Sequence, residues 1–171
     1  MADINNTASN KVLSGTSSAD SIYNYEGSNV TINAGSGNDT IENNYGHNSS
    51  INAGAGDNYI SNYRSSNVSI NAGKGDDRVY NSWNSSNVTI DAGAGDDSIS
   101  NYQYGHYSSI NAGAGNDYIW NDGSSVTITA GTGNDYIDNH FGDQVSINGG
   151  AGNDHIWNNG SSVTITAGPG N

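Results

Sequence analysis

Eight Gly-x-Gly steps open at Gly35, Gly54, Gly73, Gly93, Gly113, Gly131, Gly150 and Gly168, spaced 18–20 residues apart. After seven of them comes an Asn or Asp, then an acidic or amide residue, and two positions later Ile or Val. Gly113-Ala-Gly-Asn-Asp-Tyr-Ile119 and Gly131-Thr-Gly-Asn-Asp-Tyr-Ile137 are the clearest copies. A carboxylate at one fixed point of nearly every repeat suggests a row of bound cations. Ca²⁺ takes six to eight hard oxygen ligands at about 2.3–2.6 Å. Turns stacked as parallel strands lie ~4.8 Å apart, so an ion midway between two turns reaches carboxylates of both. Glycines that tolerate positive φ let main-chain carbonyls point into the same space. Left without a cation, carboxylates at this spacing repel one another.

Positioning such a row requires a repeating scaffold, and the sequence supplies one. A fixed period of this size marks a solenoid, one small unit stacked many times. Each unit has two apolar beats. One follows the Gly-x-Gly edge: Ile22, Ile41, Ile60, Val79, Ile99, Ile119, Ile137 and Ile156. The other precedes it: Ile32, Ile51, Ile70, Ile90, Ile110, Ile128, Ile147 and Ile165. Around the second beat, as in Val30-Thr-Ile32-Asn-Ala34, apolar and polar residues alternate, which is the signature of a strand with one face buried. Across the Gly-x-Gly edge the beats are always nine residues apart, as from Ile32 to Ile41. The return path varies from nine residues (Ile119 to Ile128) to eleven (Val79 to Ile90). The return side is therefore an ordinary loop, tolerant of insertions, while the Gly-x-Gly edge wraps something of fixed size. Two residues after each first beat stands Asn, from Asn24 and Asn43 to Asn139 and Asn158. Stacked amides can hydrogen-bond from turn to turn.

The bulk composition agrees. Apolar residues make up 32 % of the 171, below the usual ~45–50 %, as a thin core of small aliphatics requires. The net charge is −13, and ten of the 17 acidic residues lie on the Gly-x-Gly edge. That balance excludes a nucleic-acid footprint, which would be basic. There is no cysteine. No run of 18 apolar residues exists, so no helical membrane insertion is expected. Met1–Ser14 is polar and lacks the apolar core of a signal peptide; secretion would use a signal outside this chain. His47, His106, His140 and His155 are not arranged as transition-metal ligands, and no nucleophile–base–acid set stands out, so no enzyme is expected.

The motif resembles the RTX nonapeptide repeat, Gly-Gly-x-Gly-x-Asp-x-aliphatic-x, over about residues 13–171. Two departures stand out. The first Gly of the pattern is Ala here except at Gly149, and only one edge of each turn carries the motif. The period near 19 with a single metal-bearing edge is similar to the calcium-dependent solenoid repeats of large bacterial surface adhesins, one of them ice-binding. The resemblance implies a right-handed parallel β-solenoid of about eight turns binding several Ca²⁺ ions. It makes the second residue after Gly-x-Gly the ligand: Asp39, Asp77, Asp97, Asp117, Asp135 and Asp154, with Asp20 a partial match. In Gly54-Ala-Gly-Asp57-Asn58 the order is reversed, so Asn58 makes a weak site. Asp57, Asp76 and Asp96, one position earlier, read as outward and not ligating. The resemblance further implies a secreted or cell-surface bacterial protein, an adhesin spacer or a module beside a secreted enzyme.

Residues 1–14 read as a lead-in or cap and 15–171 as the repeat domain. The end at Gly168-Pro-Gly-Asn171, one residue short of the next Asp, reads as a cut through a longer array, and end-to-end self-association is expected there. Two surfaces offer other functions. Tyr80, Trp120 and Trp157 fall on alternate turns, ~9.6 Å apart at the strand spacing, and could stack on a polysaccharide. Outward Thr, Ser and Asn such as Thr127 and Thr129 could bind ice, although Thr132 is the one Thr between the paired glycines of the edge.

Overall fold

The structure, a computed structural model, describes residues 1–102 and 104–170. Eighteen strands follow one another: β1 (Asp3–Asn6), β2 (Val12–Ser14), β3 (Ser21–Tyr25), β4 (Thr31–Ser36), β5 (Thr40–Asn44), β6 (Ser50–Ala55), β7 (Tyr59–Tyr63), β8 (Ser69–Lys74), β9 (Arg78–Ser82), β10 (Thr89–Ala94), β11 (Ser98–Asn101), β12 (Ser109–Ala114), β13 (Tyr118–Asn121), β14 (Thr127–Thr132), β15 (Tyr136–Asn139), β16 (Ser146–Ala151), β17 (His155–Asn158) and β18 (Thr164–Thr166). Odd-numbered strands form one nine-stranded parallel sheet and even-numbered strands another. Among the described residues there is no helix, and nothing long and apolar enough to cross a membrane as one. The chain is an all-β parallel solenoid.

The turn count is nine, one more than the Gly-x-Gly steps suggest. The extra turn comes from residues 3–14, where β1 pairs with β3 and β2 with β4. Ile4 lies opposite Ile22 and Leu13 opposite Ile32. The expected lead-in thus carries strands in register with the rest.

Register is one-to-one at the motif. Ile90 pairs with Ile70 and Ile110, and Gly93 with Gly73 and Gly113. The inward Ile, Val and Ala side chains of both sheets form a single core, with Ile41, Ile60, Ile90, Ile99 and Ile119 fully buried. Removing such a side chain to Ala typically costs about 2–5 kcal/mol.

The Asn column closes the other side of the core. Asn24, Asn43, Asn62, Asn81, Asn101, Asn121 and Asn139 are fully buried. Each Nδ2 donates to Oδ1 of the Asn one turn on, at 2.7–2.9 Å. The same Nδ2 donates to a return-loop carbonyl, Gly27, Gly46, Ser65, Ser85, Gly105, Gly123 or Gly142, at 2.7–2.9 Å. An amide buried there satisfies its donors twice and leaves none orphaned.

The return loops hold left-handed residues that the alternation pattern does not reveal. Asn10, Asn29, Asn48, Asn67 and Asn87 have φ of 54–59°, and the equivalent sites in later turns are Tyr107 (φ 56°), Ser125, Gln144 and Ser162. Asn accepts this conformation more easily than Tyr, for which it costs roughly 1–2 kcal/mol. Tyr107 is 67 % exposed, so little packing is lost with its ring. Tyr107→Asn is expected to stabilise the protein by about 1 kcal/mol, read as a higher midpoint in chemical denaturation.

Candidate metal-binding edge

Each even strand from β4 to β16 runs into the edge through the Gly-x-Gly step, and the next odd strand leaves it. Both glycines have positive φ, for example 114° at Gly113 and 141° at Gly115. A Cβ on Gly113 would collide with the Gly93 carbonyl oxygen, and one on Gly115 with that of Gly95. Positive φ and backbone-to-backbone approach leave room for glycine alone.

Beyond the second glycine two residues point opposite ways. The first, exemplified by Asp57, Asp76 and Asp96, is exposed, as the sequence suggests. It is not idle, however. Its Oδ1 accepts the backbone N–H of the equivalent residue one turn later, at 2.7–3.0 Å from Asn38 through Asn134.

The second residue turns inward. Asp39, Asp77, Asp97, Asp117 and Asp135 are 1–2 % exposed, and Asp154, in the last full edge, is half-buried. Each uses Oδ1 to accept a backbone N–H from the equivalent position of the preceding turn, at 2.8–3.1 Å. Oδ2 of all six is buried with no hydrogen-bond partner. Buried polar atoms are nearly always satisfied, and an unpaired carboxylate oxygen in a dry site is costly. A column of six such oxygens, all on the residues the motif singles out, fits a set of hard cation sites. No three acidic or histidine side chains among the described residues converge on one point. With one carboxylate per turn, the remaining ligands of any ion would be main-chain carbonyls and carboxylates of adjacent turns.

Two turns differ. Asn58 Oδ1 accepts the Asp39 N–H at 3.0 Å, and its Nδ2 donates to the Gly56 carbonyl at 2.8 Å. That side chain is self-sufficient and places a donor where its neighbours have a bare oxygen. Asp20 is satisfied too. Its Oδ2 accepts the Thr16 N–H and hydroxyl, its Oδ1 accepts the Ala2 N–H, and the N-terminal ammonium lies 3.6 Å away. Thr16 stands where later turns have the first glycine, and its hydroxyl takes up the carboxylate.

Electrostatics separates these groups in the same way. Burial, reinforced by neighbouring carboxylates, pushes Asp97 up to about 7 and Asp77 and Asp117 up to about 6. Asp39 and Asp135 are also raised, again mainly by burial. For Asp20 burial acts upward as well, but the bonds from Ala2 and Thr16 outweigh it and the pKa is lowered. Burial beside like charges disfavours the ionised carboxyl, and a bound cation would oppose that shift.

The aromatic stripe is divided. Tyr80 packs on Tyr59 with ring centroids 5.4 Å apart. Trp120 lies 6.2 Å from Tyr102 and 4.8 Å from His140, and its Nε1–H donates to Asp122 Oδ1 at 3.0 Å. Trp157 is 57 % exposed. Rings in neighbouring turns thus engage Tyr80 and Trp120.

Neither the curated proteins nor the solved structures compared with the chain gave a match. The model of the RTX calcium-binding nonapeptide repeat matches residues 26–49, 65–83, 84–101, 108–125, 122–143 and 145–162, well over half of the chain. Its segments cover the edges of Asp39, Asp77, Asp97, Asp117, Asp135 and Asp154 and skip 50–64, where Asn58 breaks the pattern. The chain belongs to the family of RTX calcium-binding repeats.

Proposed function

We propose that this chain is a calcium-stiffened structural module in which Ca²⁺ ions bridge successive turns along the Gly-x-Gly edge. The observation that carries this reading is the column of buried, unpartnered Oδ2 atoms on Asp39, Asp77, Asp97, Asp117, Asp135 and Asp154. A bound Ca²⁺ would supply the positive charge that column lacks and take its oxygens as ligands. The chain's part is to hold one carboxylate per turn inward, fix it by its Oδ1 bond, and exclude water with close-packed glycines. Sites between Asp77 and Asp154 are the strong ones. Those next to Asn58, and the one at Asp20 with its own hydrogen bonds, are weak.

Such a module suits a secreted or surface-displayed bacterial protein, as an adhesin spacer or a rigid section beside an enzyme. Extracellular calcium modules typically work with Kd of about 10⁻⁴–10⁻³ M, which keeps the array metal-poor inside a cell and loaded outside. A rigid rod with an outward row of Thr, Ser and Asn, broken by Asp91, needs no active site.

Ion content per chain, read by titration calorimetry, tests the ligand assignment. Asp117→Ala should remove close to two ions, because Asp117 faces turns carrying Asp97 and Asp135. Asp57→Ala removes only an outer acceptor for the Asp76 N–H and should leave the stoichiometry unchanged. Equal losses from both would place the ligands elsewhere, and no bound calcium in the parent protein would overturn the reading.

A further inference from the structure

The return loops differ in length, and the difference shapes the corner they form. From first beat to second the path is eleven residues at Val79–Ile90 and Ile99–Ile110, nine at Ile119–Ile128, and ten at Ile137–Ile147. The short loop, Asp122–Ser125, lies between longer neighbours. Gly123 is pressed against the preceding turn, where a Cβ would strike the Gly105 carbonyl oxygen. The shortfall leaves a cleft of about 640 Å³ across the corner, lined by Trp83, Tyr104, Asp122 and Phe141. Its three aromatic residues are all exposed: Trp83 46 %, Tyr104 61 % and Phe141 63 %. The core uses none of them.

The lining defines a ligand chemistry. Three aromatic residues and a carboxylate lining one cleft favour a cation, because ring faces are electronegative and attract positive charge most strongly when it is weakly hydrated. Asp122 is held in place by the indole N–H of Trp120 at 3.0 Å. The chain carries a net charge of −13, which draws cations and repels anionic ligands such as uronates or phosphates. A strongly hydrated metal ion gains little from rings, whereas an alkylated ammonium gains from both the rings and the carboxylate. The Trp83 ring already takes one cation: the Arg64 guanidinium lies 5.7 Å from its centroid and 5.3 Å from that of Tyr63, so a ligand would share Trp83 with Arg64 or displace it.

We propose that the Trp83–Tyr104–Asp122–Phe141 cleft binds a quaternary ammonium headgroup of the choline type. The site is separate from the calcium edge, on the return side of the solenoid, and does not depend on the calcium reading.

Choline is titrated into the full chain in Ca²⁺, with circular dichroism on the same sample to establish the fold and NMR shifts of the Trp indole N–H groups as readout. Saturable binding that moves the Trp83 signal, with the neutral isostere 3,3-dimethylbutanol at least ~10-fold weaker, is the expected result. Asp122→Asn should weaken choline roughly 10-fold. Phe141→Ala and Trp83→Ala should each do at least as much, while Trp157→Ala should leave binding unchanged. Two further arms distinguish sources: flotation with phosphatidylcholine but not phosphatidylglycerol vesicles identifies a lipid headgroup, and choline binding without flotation identifies a soluble or polymer-borne one. Equal affinity for choline and its neutral isostere, or no saturable binding by a correctly folded chain, would overturn the proposal.

Discussion

Metal-stripped protein is expected to be most stable in mild acid and to lose its solenoid as the pH rises to 8, whereas in millimolar Ca²⁺ the order reverses. The sign follows from the buried column. Burial raises Asp97 to about 7 and Asp77 and Asp117 to about 6, against roughly 3.9 for an unfolded Asp. Between those values the folded chain binds more protons than the unfolded one, so stability falls with rising pH. The contribution is complete below about pH 4 and disappears as the pH passes through about 6 and 7. Asp20, with its lowered pKa, acts the other way, in more acid solution. Ca²⁺ binds the ionised carboxylates and therefore competes with protons. The melting temperature without metal should drop steeply from about pH 4.5 to 7 and flatten above that, and the stabilisation by calcium should grow over the same window. A melting temperature of metal-stripped protein that is flat across that range would mean that the Asp column is not strained when empty.

Much of this arrangement is legible in the residues, because a solenoid repeats each local decision nine times. One Ile with Asn two positions on is ambiguous. The same pair in every turn fixes which side chains point inward, and the buried Asn ladder is where the pattern puts it. The missed turn shows the limit. Its edge, Gly15-Thr-Ser-Ser-Ala-Asp20, lacks the Gly-x-Gly step, and β1 has only the short signature Ile4-Asn-Asn6. That signature is the ladder pair: Asn6 Nδ2 donates to Asn24 Oδ1 at 2.7 Å, so a search on the amide column would have found the ninth turn. The split between the two carboxylate oxygens was not legible. The repeat register says that Asp39 and Asp117 share a position. Only the fold shows Oδ1 spent on a neighbour's N–H and Oδ2 left bare, since that depends on how the edge turns between stacked glycines. The corner cleft was hidden for a related reason: loop lengths are visible in sequence, but which side chains face the gap is set by the turns on either side.

The turn at Asn58 allows a gain of metal binding. Its amide imitates the carboxylate at Oδ1, accepting the Asp39 N–H, and differs at the other atom, where Nδ2 donates to the Gly56 carbonyl. Asn58→Asp changes that atom from donor to bare acceptor with almost no change in volume, and frees the Gly56 oxygen. The column would then run unbroken from Asp39 to Asp154. Completing it should add up to two ions per chain, at the junctions with Asp39 and Asp77. Each added site stabilises the fold by about 2.7 kcal/mol when free calcium exceeds its Kd a hundredfold. The expected gain in saturating Ca²⁺ is therefore roughly 3–5 kcal/mol. Without metal the sign inverts, because a sixth fully buried carboxylate then sits between Asp39 and Asp77 with one oxygen unpaired. The measurement is a pair of denaturation curves, with and without calcium, for the parent chain and the variant. Curves that shift the same way in both conditions would show that Asn58 is a packing residue and that the edge does not gather its ions from adjacent turns.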